Sequence, residues 1–172
     1  MQTQLIIQTF QFKKFERSFN HFFEECERGF TNELIINLFC RIYPQGRQVI
    51  GFRQNVKEMF FIRQGLVEVF NNENDEIVRS KPILYLPKFS YFGDYHILHN
   101  LKSNIVFKTL SQTNEDKNLK PSEDTLHILF MCIAKDDLLD LCDLFPQTAE
   151  NIKRRSLERR HKFMIQKNLN SR

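Results

Sequence analysis

The sequence lacks any apolar run close to the roughly 18–20 residues that span a bilayer. Its longest apolar stretches, around Leu34–Cys40 and Leu126–Ala134, have the length of a core helix and a core strand. No basic segment leads into an apolar one at the start, so no secretory leader is expected. Four cysteines, Cys26, Cys40, Cys132 and Cys142, form no Cys-x-x-Cys pair, and each lies inside an apolar pattern. Buried, reduced thiols in a cytoplasmic protein are therefore expected rather than disulfides. His96 and His99 stand three apart, but no third ligand is evident, so no metal centre is expected. There is no Ser/His/Asp or Cys/His grouping of catalytic pattern and no Gly-rich triphosphate loop, so the chain does not read as an enzyme. The formal charge of +4 is too small for the whole molecule to imply nucleic acid.

What is present is enough for one domain. The 172 residues are 41% hydrophobic and include 18 phenylalanines, sufficient for a core without disulfides or metal. Residues 1–41 read as an N-terminal, linker-like helical segment. Ile7, Phe12, Phe15 and Phe19 recur mostly at helical spacing, while Met1–Thr9 is less regular and expected to fray. Asn20 is placed to cap a second helix, with Glu24 and Glu25 in its early turns and Gly29 as punctuation. Thr31 is placed to cap a third, Asn32–Cys40. Residues 42–134 turn to short strands: Gln48–Phe52, then Met59–Ile62 and Leu66–Phe70 as a hairpin about Gly65, then Ile83–Leu86. Asn71–Glu76 reads as a polar hairpin loop, Ile77–Val78 as the returning strand, Ser111–Asp124 as a loop and Leu126–Ala134 as a buried strand. Strands this short, at turn-rich spacing, predict a barrel-like or jelly-roll sheet rather than βα units. Residues 135–172 read as two helices, Lys135–Phe145, ended or bent by Pro146, and Gln147–Asn168.

The stretch from Ser90 to Thr109 organises the rest. Phe92 ends a strand, Gly93 suits a sharp turn, Asp94 sits where an N-cap would, and Tyr95, Ile97 and Leu98 make one helical turn. Asn104–Leu110 resumes as a strand. A turn of this shape suits an anion, especially a phosphate. The run Phe92-Gly93-Asp94-Tyr95-His96-Ile97-Leu98 resembles the phosphate-binding cassette of cyclic nucleotide-binding domains. Upstream, Glu58–Gly65 is similar to the same family's strand–turn signature. The resemblance runs from about His21 to Asn168 and looks nearest to the cytoplasmic domain of voltage-gated and cyclic-nucleotide-gated cation channels, in the form found in ciliates.

That resemblance implies an α+β fold: a β-roll with N-terminal helices, a short cassette helix and two C-terminal helices. It also implies a pocket at Phe92, Gly93, Asp94, Tyr95, His96, Lys102, Ser103 and Asn104, with cyclic AMP or cyclic GMP as candidate ligands. The cassette acid, matched by Asp94, would accept from the ribose 2′-hydroxyl. The position that normally carries a phosphate-binding arginine falls on Ser103, flanked by Lys102 and Asn104. A hydroxyl cannot supply a bidentate guanidinium fork, so binding is expected to be weak or absent. Tyr95 and His96 replace smaller residues and are expected to narrow the pocket.

Helix 147–168 carries an apolar stripe at Ala149, Ile152, Ser156 and Phe163, with Lys153, Arg154, Arg155, Arg159, Arg160 and Lys162 on the opposite face. It reads as the family's lid helix with a solvated basic face. A calmodulin or acidic-lipid target is a further reading of that face, and a nucleic-acid helix is not expected. Bacterial regulators with this roll add a helix-turn-helix, for which Arg172 leaves no room. The expected function is a non-enzymatic regulatory domain of the cation-channel type. Channel subunits or a larger assembly are the expected partners, and the expected location is cytoplasmic, with membrane or ciliary association through those partners. A structural scaffold subunit that reuses the roll is the alternative.

Overall fold

The computed structural model describes residues 11–71, 81–110 and 127–170, with side chains described as far as residue 165. The expectations for Met1–Thr9, Ile77–Val78 and Ser111–Asp124, and for all but the first residue of the Asn71–Glu76 loop, lie outside the described residues.

Three helical segments come first: α1 (11–18), the single turn α2 (Asn20–Phe23) and α3 (Arg28–Ile36). Eight strands follow: β1 (Phe39–Pro44), β2 (Gln48–Ile50), β3 (Glu58–Gln64), β4 (Val67–Asn71), β5 (Leu84–Leu86), β6 (Tyr91–Phe92), β7 (Ile105–Thr109) and β8 (His127–Ala134). Helix α4 (Asp94–Leu98) lies between β6 and β7, and α5 (Lys135–Leu144) and α6 (Pro146–Asn170) close the chain. Two antiparallel sheets, in the orders β1-β8-β3-β6 and β2-β7-β4-β5, face each other as a jelly roll. This is the expected α+β roll with flanking helices.

Alternation along the strands explains the aromatic content. Phe60 pairs with Phe92 and Phe61 with Tyr91 across β3 and β6, so the two pairs point to opposite faces of their sheet. Inward, Phe92 stacks between Phe60 and Phe107 at centroid distances of 5.0 and 4.5 Å, with Phe130 edge-on to Phe60 and Phe92. Outward, Phe61 is ringed by Phe15, Phe19, Phe22 and Phe23, which seats α1 and α2 on the sheet. A sheet buried on both faces needs near-continuous apolar strands, as Met59–Ile62 supplies.

Several local expectations are corrected. β3 and β4 are not a hairpin: β3 pairs with β6 and β8, and β4 with β5 and β7. The Gly65 turn carries the chain from one sheet to the other. Gly65 has φ +93°, and a Cβ there would come within 2.7 Å of Ile128. Gly29 does not interrupt a helix but lies within α3, where the Phe145 ring would be 2.7 Å from a Cβ. Thr31 is buried inside the same helix, whose cap residue is Glu27. The helix stops at Ile36, and Phe39 and Cys40 open β1 because they pair with Cys132 and Met131 of β8. α2 is one turn with Phe19 at its cap, so Asn20 is helical and Glu24 and Glu25 follow the turn. Cys132 is buried as expected, but Cys40 is exposed and Cys26 and Cys142 are half-buried. Pro146 begins α6, where its missing N–H leaves no hydrogen bond unmade.

Candidate functional site

Gly93 sets the geometry of the site. Its φ of +93° is left-handed, and a Cβ would lie 2.9 Å from the backbone oxygen of Glu58. The turn thereby passes close to β3 and leads directly into α4. Asp94 is the first residue of α4 and makes no capping bond, contrary to the sequence expectation. Asp94 is buried, and its carboxylate is directed elsewhere.

The partner is Arg159 of α6. Arg159 Nη1 donates to Asp94 Oδ2 at 2.9 Å, and Nη2 donates to the Tyr91 carbonyl. The guanidinium lies 3.8 Å above the Tyr91 ring, and His21 stacks on Tyr91 at 5.1 Å. Burial works against the Arg159 charge, but Asp94 and then Tyr91 outweigh it and raise its pKa above the ordinary value.

Further bonds fix α6 along its length. Thr148 Oγ1 accepts from the Glu27 amide and donates to the Glu27 carboxylate, both at 3.0 Å. Arg155 donates to the carbonyls of His21 and Phe22, and Arg154 pairs with Glu25 at 2.8 Å. Ser156 Oγ lies 3.0 Å from His99 Nε2, and Arg160 Nη2 donates to Asn104 Oδ1 at 2.6 Å. The basic face is therefore not wholly solvated. Arg155, Arg159 and Arg160 turn onto the body of the domain, while Lys153, Arg154 and Lys162 face outward.

Between α6 and the roll remains a cavity of about 20 Å³. Its apolar wall includes Phe92, Ile105, Phe107 and Phe163, and its polar wall includes Asp94, His96, Arg159 and Arg160. That volume holds about one water molecule, against roughly 300–1,000 Å³ for a small-molecule pocket. As arranged, the cavity is far smaller than such a pocket.

The other expected site residues divide in two. Phe92, Gly93, Asp94, Tyr95 and His96 line the cavity. Lys102, Ser103 and Asn104 do not line it. Lys102 is exposed, on an isolated bridge to Asn55. Ser103 is 1% exposed, but its hydroxyl donates to the Ile105 carbonyl at 2.6 Å within a local turn. Asn104 lies outside the lining but meets the site through Arg160, and its side chain also acts on His96. Among the described residues, no group of three or more His, Cys, Asp or Glu could hold a metal ion.

Arg159 and Arg160 were missed as site residues because arginine was assigned to the polar face. The signal was present: Thr148, Ile152, Ser156, Arg159 and Phe163 follow a 4-4-3-4 spacing, one continuous inward stripe.

The sequence matches no protein-family model. Among solved structures, the chain is similar to the regulatory domain of Toxoplasma gondii PKA with cAMP, with a TM-score of 0.65, 8% identity and coverage of 86% of this chain and 49% of that one. It is similar to the C-linker/CNBHD of zELK channels, crystallized in the presence of cAMP, with a TM-score of 0.57, 17% identity and coverage of 77% and 57%. It is also similar to the regulatory subunit of a cAMP-independent protein kinase A from Trypanosoma brucei, with a TM-score of 0.58, 15% identity and coverage of 79% and 43%. The chain spans between 41% and 62% of the length of five such solved structures. At these identities the likeness establishes the fold, that of cyclic nucleotide-binding domains.

Proposed function

We propose that this chain is a non-enzymatic regulatory domain of the cyclic nucleotide-binding type, of the kind cation channels carry, whose pocket is closed by its own lid helix. The Arg159–Asp94 pair carries this reading. The carboxylate that would receive a ribose hydroxyl is held by the lid, and the loop position that would hold the phosphate is a serine turned inward. A nucleotide would have to break the ion pair and displace α6 without a loop arginine to compensate. Binding of cyclic AMP or cyclic GMP is accordingly weak or absent in the closed state.

On this reading the signal is the position of α6. Channel subunits or a larger cytoplasmic assembly would sense whether it is docked. Arg155, Arg159 and Arg160 would reach calmodulin or acidic lipid only after α6 is released, since docking uses all three. The small cavity also favours a second reading, a scaffold subunit that never opens.

Thermal unfolding with and without about 1 mM cyclic AMP or cyclic GMP separates the two, because a ligand of the folded state adds RT ln(1 + [L]/Kd). A gated sensor gives no shift in the wild type and a clear shift in Arg159→Gln. A scaffold gives no shift in either. A large wild-type shift would overturn the closed-lid reading.

A further inference from the structure

Two guanidinium groups and one carboxylate face the cavity between α6 and the roll. Arg159 neutralises Asp94, which leaves Arg160 in excess. Arg160 Nη2 is bonded to a neutral amide, and its Nη1 is buried with no acceptor. The Tyr95 ring, 5.5 Å from the guanidinium, gives only weak cation–π compensation. Beside it, His96 is 3% exposed, and neither ring nitrogen makes a hydrogen bond of acceptable geometry. Burial, and then the Arg160 charge, lower the pKa of His96 to about 4, so the ring is neutral near pH 7 and presents one N–H. Arg160 is partly exposed, but its Nη1 and the His96 ring nitrogens are buried without acceptors, and buried donors left unbonded are costly.

We infer that this cavity is a site for one small monovalent anion of halide size, held by Arg160 and His96 as a counter-ion between α6 and the cassette. The volume of about 20 Å³ admits one particle of this size and excludes an organic phosphate. A water molecule could fill the space but would bring no negative charge to the buried Arg160 Nη1. A halide accepts from both donors and supplies the missing charge. Because Arg160 comes from α6 and His96 from α4, the anion binds the closed form and stabilises docking of the helix. The inference rests on the closed-lid reading above.

The test uses the whole chain and bromide as the probe. Crystals grown in bromide should show an anomalous difference peak within hydrogen-bonding reach of Arg160 Nη1 and His96. In solution, replacing gluconate by chloride or bromide at constant ionic strength should raise the melting temperature saturably. Arg160→Gln should weaken the apparent halide affinity by about tenfold or more. The crystal measurement needs no variant, so it decides the matter even if Arg160→Gln does not fold. Hydrogen exchange of the α6 amides reads closure independently. A protected α6 with water and no bromide peak would overturn the anion site alone. An unprotected α6 would overturn the closed-lid reading and the site with it.

Discussion

Replacing Arg159 by glutamine removes a charge from an ion pair in which the Arg159 side chain is 25% exposed and that of Asp94 is 7% exposed. A hydrogen bond to a charged group contributes about 1.5–3 kcal/mol net. The partial exposure of Arg159 places its coupling with Asp94 toward the lower part of that range, about 2 kcal/mol. The single substitution should cost more, about 3–4 kcal/mol, because it leaves a buried carboxylate without its cation and loses the stacking on Tyr91. Asp94→Asn should cost comparably, since Arg159 would then be the unpaired member. The double variant should be less destabilised than the sum of the two. Urea unfolding of the wild type, both single variants and the double variant gives the coupling directly. A coupling below about 0.5 kcal/mol would mean the pair is incidental, and α6 would have to be held by its other contacts alone.

Three further outcomes follow from the same geometry. Gly93→Ala should destabilise by about 1–3 kcal/mol from its left-handed backbone alone, and more from the approach to the Glu58 carbonyl, as read by urea midpoint; a neutral effect would contradict the turn. His96 takes up a proton near pH 6.5 when unfolded but only near 4 when folded, so the unfolded chain binds more protons between these values. Acidification from pH 7 to 4 should therefore remove up to about 3 kcal/mol through this group; the wild-type stability curve should converge on that of His96→Asn as pH falls, and parallel curves would refute the assignment. Ser103→Arg should not restore a nucleotide site but should destabilise by about 2 kcal/mol or more, because the position is buried in a local turn and offers no room or counter-charge for a guanidinium; an unchanged urea midpoint would contradict that placement.

The roll was legible because its signals are local and mutually consistent. Phe92-Gly93-Asp94 carries its own turn chemistry, and the order of the strand–turn signature and cassette constrains the sheet around them. The hairpin about Gly65 failed for a physical reason. A glycine turn between two strands looks the same whether they pair or pass to separate sheets, and only distant partners such as β8 and β7 decide. Thr31 and Gly29 failed similarly: burial and the close approach of Phe145 override their local preferences. At the site, sequence order placed Phe92-Gly93-Asp94 at a tight turn leading into one short helix. It did not reveal the arginines that come to the pocket from 56 and 65 residues away, at Asn104 and Asp94, because a charged residue on an inward stripe reads as polar until its buried partner is known. The pair is a tertiary fact, written in the 4-4-3-4 spacing of α6 but interpretable only once that helix is placed.

The most direct test of the closed pocket is calorimetric titration of the wild-type chain with cyclic AMP and cyclic GMP near pH 7. The Asp94 carboxylate engaged by Arg159, the inward Ser103 hydroxyl and the cavity of about 20 Å³ together predict no saturable heat up to about 1 mM ligand. A dissociation constant in the low micromolar range, about −8 kcal/mol, would show that α6 yields readily, and would contradict the account at its centre.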